Sequence, residues 1–241
     1  MTKHYVVATW DDAPHLTEEK KRDLLASYPP HMRDARSKGR PQLGAGAIYP
    51  VPESEIIVDP FEIPPWWPKI AAMDVGWKRT AGLWAAIDRD TWTTYLFSEY
   101  YVGQKEPPIH AQAMRARGEW IPIMIDPAAR GRGQKDGEQL WNIYLDLGLN
   151  LYKANNAVES GLYEVWTALS TGKLKVFSTL KNWLGEFRIY RRDDKGHIVK
   201  TNDHLMDATR YLYTGLELAQ TPPVKEVPLY VPNSGRDQTG Y

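Results

Sequence analysis

Residues 69–88 read KIAAMDVGWKRTAGLWAAID, and the fold class turns on this stretch. Ile70 to Met73 is an apolar run that ends on Asp74 and is broken by Val75-Gly76. Leu83 to Ile87 is a second run, ending on Asp88. Short apolar runs separated by Gly, Lys and Arg predict two strands at hairpin spacing. Trp92 to Val102 is rich in the Thr, Tyr and Phe that favour strands, and predicts a third. Downstream the pattern alternates. Helices are predicted over Pro108 to Arg117, over Asp136 to Leu147 (Leu140, Ile143, Tyr144 and Leu147 forming one stripe), and over Val158 to Ser170. Strands are predicted over Ile121 to Asp126, Leu149 to Lys153 and Leu174 to Phe177, and a last helix over Asp203 to Leu218. Three hairpin-linked strands followed by alternating strands and helices predict an α/β fold, a mixed central sheet flanked by helices. An extra β-hairpin is predicted from Phe187 to Lys200, around the turn Asp193-Asp194-Lys195-Gly196.

The sequence before Lys69 has another character. Tyr5 to Trp10 predicts a short strand, and Thr17 followed by Glu18 and Glu19 predicts a helix N-cap, the helix running to about Ala26. Tyr28-Pro29-Pro30 stops it, and the following Gly/Pro-rich stretch has no sustained period. Four prolines surround Trp66 and Trp67 between Pro60 and Pro68, and the two rings are expected to pack the arm onto the body. The expected organisation is a linker or arm over 1–68, a body over 69–220, and a loose tail over 221–241.

Composition removes several classes of function. With 42% hydrophobic and 25% charged residues, the 241-residue chain can bury a core. Thirty Lys+Arg balance thirty Asp+Glu, which argues against a DNA binder that works through bulk positive charge. The absence of cysteine excludes disulfides, thiolate catalysis and Cys-based zinc sites. No apolar run reaches the ~18 residues of a membrane span, and MTKHYVVATWDD lacks a signal-peptide core, so a soluble, non-exported chain is expected. Ten Trp and fourteen Tyr against four Phe predict many half-buried rings with polar edges.

The chemistry is concentrated in acids that end strands. Asp74 and Asp126 each close an apolar run, at the edge where ligands bind in open α/β sheets. The bland alternatives are a turn residue before Gly76 and an Asx-turn before Pro127. In NDHLMDATRY, residues 202–211, helical spacing puts Asp203, His204 and Asp207 on one side of a helix start. Asp203 reads equally as the N-cap. Carboxylate and imidazole ligands suit Mg²⁺ or Mn²⁺, and two such ions about 3.5–4 Å apart clamp a phosphodiester during transfer.

The order of these acids resembles the RNase H-like nuclease superfamily. ATWDDAPHLTEEKK, PPHMRDARSKGRPQLGAGAIYPV, AAMDVGWKRTAGLWAA, MIDPAARGRGQKDG and NDHLMDATRYL narrow it. Together they resemble the C-terminal nuclease domain of the large terminase subunit of tailed bacteriophages, with the linker that precedes it. The resemblance implies an RNase H-like sheet and a divalent-metal-dependent endonuclease that cuts concatemeric double-stranded viral DNA during packaging. It implies Asp74, Asp126 and Asp207 as catalytic metal ligands for two Mg²⁺ or Mn²⁺ ions. Many relatives carry an aspartate where this chain has His204, which leaves the second metal position to His204 or Asp203. It also implies an N-terminal packaging ATPase domain, a portal protein and a small terminase subunit as partners, and action in the host cytoplasm without a membrane. No G-x-x-x-x-G-K-S/T run occurs, so the ATPase is not in this sequence.

Candidate DNA contacts are Arg130, Arg132 and Lys135 in the glycine-rich stretch after Asp126, Arg188, Arg191 and Arg192 in the predicted hairpin, and Lys78 beyond Asp74. No base-reading element is evident, so weak, salt-sensitive binding is expected. Two other readings are a different RNase H-like phosphoryl transferase (a junction resolvase or transposase) and a non-cutting docking module for the portal or ATPase domain.

Overall fold

The structure, a computed structural model, describes residues 9–27, 37, 46–126, 136–155 and 157–223. Helix α1 spans Glu18–Ser27, and the Lys20 backbone N–H donates to Thr17 Oγ1 at 3.4 Å, the cap its sequence predicts. Where the end of a strand was expected, Trp10–Asp12 is a 3-10 turn closed by the Thr9 N–H on Asp12 at 2.7 Å. The rest of that expected strand, Tyr5 to Ala8, lies outside the described residues.

Among the described residues seven strands form one sheet: β1 (Ile57–Val58), β2 (Lys69–Asp74), β3 (Thr80–Asp88), β4 (Thr93–Val102), β5 (Ile123–Ile125), β6 (Leu151–Lys153) and β7 (Leu174–Phe177). Their order is β1-β7-β4-β3-β2-β5-β6. The pairs β2/β3 and β3/β4 are antiparallel, as two hairpin-like connections require. The remaining pairs are parallel. The described residues also form the helices α2 (Glu53–Ile56), α3 (Pro107–Arg115), α4 (Asp136–Asp146), α5 (Val158–Ser170), α6 (Lys181–Ile189) and α7 (His204–Tyr213), and a 3-10 turn over Leu216–Leu218.

Alternation along the strands sorts the residues into two cores. Ile70 and Ala72 of β2, with Leu83 and Ala85 of β3, pack beneath α5, α6 and α7. Ala71 and Met73, with Trp84, face the other way and meet Ala111 and Met114 of α3 and Tyr144 near the end of α4. Both faces of the central strands are buried, which is why β2 and β3 read as continuous apolar runs.

The expected boundary at Lys69 falls inside this packing. Tyr49, Val51 and Ile56 belong to the larger core, and β1 pairs with β7 through Ile57 and Val176. The proline-rich segment is pinned by rings: Phe61 lies 5.1 Å from Tyr95 and 5.0 Å from Phe177, and Trp67 stacks on Tyr95 at 5.5 Å. Trp67 thus packs as expected, whereas Trp66 is 70% exposed.

One predicted element shrinks. Residues 181–189 are helical because Trp183, Leu184 and Phe187 form a buried stripe at helical spacing. Of the predicted hairpin, the turn survives: the Gly196 N–H donates to Asp193 O at 3.0 Å, with Gly196 at φ 81°. Isolated bridges join Arg192 to Ile198 and Arg191 to Ala47. Arg188 therefore belongs to α6 and not to a hairpin strand.

Candidate active site

From β2 the chain passes to β3 on one side and later returns to β5 on the other. Strand order therefore switches at β2, and the carboxyl ends of the parallel pair β2/β5 form the crevice in which such sheets bind ligands. Met73 is in register with Ile125, so Asp74 and Asp126 leave neighbouring strands side by side, with backbones about 4.8 Å apart. Asp74 has the parity of Ile70 and Ala72, and Asp126 that of Met124, all three on the α7 side. Helix α7 crosses β2, β3 and β5 on that side, and brings His204 and Asp207 in its first turn.

The Nδ1–H of His204 donates to Asp74 Oδ2 at 2.7 Å. Burial pushes the Asp74 carboxyl above its ordinary range; His204 pulls it down, and the charges of Asp207 and Asp126 push it up again. The same three acids, Asp207 first, also push Tyr211 upward behind burial. Asp74, Asp126 and Asp207 therefore act on one region. Asp74 and Asp126 leave neighbouring strand ends, and Asp207 lies in the first turn of the helix that crosses those strands.

The N-terminus of α7 is held by a residue that sequence reasoning missed. Asp203 occupies the N-cap position but makes no capping hydrogen bond with its side chain. The backbone N–H groups of Leu205 and Met206 donate instead to Glu186 Oε2, at 2.6 and 3.4 Å. Glu186, 3% exposed on α6, also receives the Tyr101 hydroxyl on Oε1 at 2.5 Å. Its negative charge sits at the positive end of the α7 dipole. Glu99 does the same for α6, accepting from the backbone of Asn182 at 3.0 Å and of Trp183 at 2.9 Å. The signal in sequence is faint: Glu186 is an acid one residue from the buried stripe of its helix.

Cations of the chain neutralise the acids. The Lys200 ammonium lies 3.0 Å from Asp203 Oδ2 and 2.9 Å from Asp207 Oδ2. Arg210, almost wholly buried, donates to Asp207 Oδ1 at 3.2 Å, and its guanidinium lies over the Tyr211 ring at 4.6 Å. Among the described residues no three His, Asp or Glu side chains stand close enough together to hold a metal ion. The donor types nevertheless suit a hard cation: the Asp74 carboxylate is bound to one imidazole, and a lysine ammonium already sits between the carboxylates of Asp203 and Asp207.

The expected DNA contacts divide. Arg130, Arg132 and Lys135 lie outside the described residues. Arg188 pairs bidentately with the buried Glu53, its Nη2 at 2.8 Å from Oε2, and so ties α6 to α2. Arg192 donates to Glu159 at 2.6 Å and to Gly196 O at 2.9 Å. Arg191 takes part in the bridge to Ala47. Arg188 and Arg192 thus have structural partners. Lys78 is exposed in the β2–β3 connection beside Asp74. Next to it, Arg79 lies over the Tyr101 ring at 4.6 Å.

The imidazole gives a pH prediction. Its hydrogen bond to Asp74 raises His204 above its ordinary value of 6.5, against the opposing effect of burial. A folded value above the unfolded one stabilises fully below the unfolded value, and that contribution is lost as pH rises through the folded value. Metal-free stability is expected to fall as pH is raised from 6.5, and His204→Gln to flatten that part of the profile. Calorimetry across the range checks this, and identical profiles for the two proteins would contradict it.

The comparisons agree with the geometry. The terminase RNaseH-like domain family matches residues 71–215, from the middle of β2 to just past α7. The large terminase subunit of Salmonella phage P22 is 38% identical over 215 residues, covering 84% of this chain and 42% of that protein. The chain thus spans less than half the length of the curated relatives it matches. The solved nuclease domain of the P22 large terminase superposes with a TM-score of 0.69 at 33% identity, over 74% of this chain and 96% of that one. The nuclease domain of the large terminase g2p from bacteriophage SPP1, solved with bound Mn, shares the fold with a TM-score of 0.51 at 19% identity, over 65% and 93% of the two chains. The family model covers more than half of this chain, a curated relative and a solved nuclease domain agree with it, and the chain belongs to the terminase RNaseH-like domain family.

Proposed function

We propose that this chain is a divalent-metal-dependent endonuclease that cuts concatemeric double-stranded viral DNA during genome packaging. The observation that carries the proposal is the placement of Asp74 at the end of β2, Asp126 just past β5, and Asp207 in the first turn of the helix that crosses both strands at the switch point. The family and the Mn-bound relative support it. So does the electrostatics: like charges at 4 Å repel by roughly 4 kcal/mol at an effective dielectric near 20, and a divalent cation relieves that.

Asp74, Asp126 and Asp207 are the proposed ligands, with His204 or Asp203 beside them. Bound there, two Mg²⁺ or Mn²⁺ ions would acidify a water and stabilise the charge that develops on the leaving oxygen. The chain's own residues do the remaining tasks. The strand ends fix Asp74 and Asp126, and Glu186 fixes the helix end that carries His204 and Asp207. His204 holds the Asp74 carboxylate through Nδ1. Lys78, exposed in the β2–β3 connection, is a proposed phosphate contact. Arg130, Arg132 and Lys135 remain proposed contacts. Duplex DNA, the packaging ATPase domain, the portal and the small terminase subunit are the proposed partners, in the host cytoplasm. Among the described residues no helix is long and apolar enough to cross a membrane.

Plasmid nicking with Mn²⁺ or Mg²⁺ tests the reading, wild type beside Asp126→Asn. The wild type is expected to convert supercoiled plasmid to open-circular and linear forms, and Asp126→Asn to lose at least about 100-fold in rate, more than is typical for residues that only support metal ligands. Equal cleavage by both proteins would sink the site. No cleavage by the wild type with either metal would favour a docking module, and a preference for branched DNA would favour a resolvase.

A further inference from the structure

Lys200 is the least expected member of the acid cluster. It precedes α7 on a short segment held by two backbone hydrogen bonds, Val199 N–H to Arg191 O at 3.0 Å and Thr201 N–H to Val199 O at 2.9 Å. Its side chain is 62% exposed, yet the ammonium contacts two carboxylates whose own side chains are only 10% and 13% exposed. The second oxygen of Asp207 is taken by Arg210, whose guanidinium is buried and whose stem passes within 2.7 Å of where a Cβ on Gly161 would stand. Arg210 is therefore fixed by packing, whereas the Lys200 ammonium is held by its two ion pairs alone and has open solvent beside it.

We propose that Lys200 is a tethered counter-ion, which holds Asp203 and Asp207 together without metal and gives up Asp207 Oδ2 when a divalent cation binds. The inference rests on the metal-dependent reading above. The reason is charge and access. With Oδ1 on Arg210, Oδ2 is the oxygen of Asp207 that can turn to a metal, and the ammonium now lies 2.9 Å from it. Two cations cannot share that oxygen at such a distance without strong repulsion. Of the two partners of Asp207, only the lysine can leave without opening the core. The four-carbon stem of lysine lets the ammonium swing out while the backbone stays in place.

The exchange has a thermodynamic signature that an ordinary surface ion pair lacks. A group that stabilises only the metal-free state must oppose metal binding by the same amount. Lys200→Met keeps the stem and removes the charge. Its melting temperature without metal is expected to fall below that of the wild type, while with saturating Mn²⁺ the two proteins melt together. Mn²⁺ affinity measured by titration calorimetry is expected to tighten about fivefold or more. Lys195→Met, which removes a charge from the nearby turn and not from the acids, controls for net charge and is expected to leave both quantities unchanged. Equal losses of stability with and without Mn²⁺ would overturn the exchange, because Lys200 would then stay on the acids in both states. So would a Mn²⁺ affinity in Lys200→Met no tighter than in the Lys195→Met control. If neither wild type nor Lys200→Met responds to Mn²⁺, the metal-dependent reading itself falls and the exchange with it. A response confined to Lys200→Met supports the exchange and shows the lysine to be dominant.

Discussion

Asp74→Asn is expected to lower phosphodiester cleavage by more than about 100-fold, about 3 kcal/mol of transition-state stabilisation, and to raise metal-free stability at neutral pH. The opposite signs come from one cause. Asp74 is taken out of water at the end of a buried strand, among the charges of Asp126 and Asp207, and its carboxyl is raised above the ordinary range. A carboxyl whose folded value is raised contributes stability below the unfolded value and loses it as pH rises through the folded one. At neutral pH the ionised form is thus a net burden on the metal-free fold. Asparagine removes the charge and keeps an oxygen to accept from His204 Nδ1, so the 2.7 Å contact survives. A metal ligand, however, needs the carboxylate. Plasmid nicking and calorimetry on the same preparation decide the matter. Cleavage within about tenfold of the wild type would remove Asp74 from the site, and lost cleavage with a lowered melting temperature would point to damage of the fold instead.

What could be read from sequence was whatever is local. Asp74 and Asp126 are visible because an acid at the end of an apolar run is conspicuous, and the shared side of His204 and Asp207 follows from helical spacing. The mixed sheet was legible for the same reason: strands buried on both faces leave continuous apolar runs. Arg188-Ile189-Tyr190 misled because its alternation looks like a strand, while the helical stripe Trp183, Leu184, Phe187 lies upstream of it. Glu186, Glu99 and Lys173 escape because their partners are far along the chain. Glu186 meets Leu205 19 residues on, Glu99 meets Asn182 at a separation of 83, and the Lys173 ammonium meets Thr91 O at a separation of 82. No window of sequence contains both partners of the last two. The arginines of the predicted hairpin teach the converse. Arg188 and Arg192 looked available for phosphate and are instead held by Glu53 and Glu159.

Trp183→Ala is expected to cost about 3–5 kcal/mol of folding stability, on the order of 10 °C in melting temperature for a chain of this size. Trp183 is wholly buried and stacks on Phe187 with ring centres 5.1 Å apart and planes 15° from parallel. Its indole N–H donates to Thr209 Oγ1 at 2.8 Å, and that hydroxyl donates to Leu205 O at 2.6 Å within α7. Truncation therefore opens a cavity between α6 and α7 and also removes one of the polar links between them, while that of Glu186 to Leu205 stays. Trp183→Phe keeps a ring against Phe187 and leaves Thr209 its bond to Leu205, so a smaller loss of about 1–2 kcal/mol is expected. Urea unfolding measures both, and a loss below about 1 kcal/mol for Trp183→Ala would show that the core closes over the gap. Cleavage separates this variant from Asp74→Asn. The acids hang on β2, on the end of β5 and on a helix start that Glu186 holds through Leu205. None of these needs the indole directly. Folded Trp183→Ala, assayed well below its melting temperature, should cut DNA at a rate within a few-fold of the wild type. Complete loss of cleavage by the folded variant would mean that the α6–α7 contact itself sets the position of His204 and Asp207.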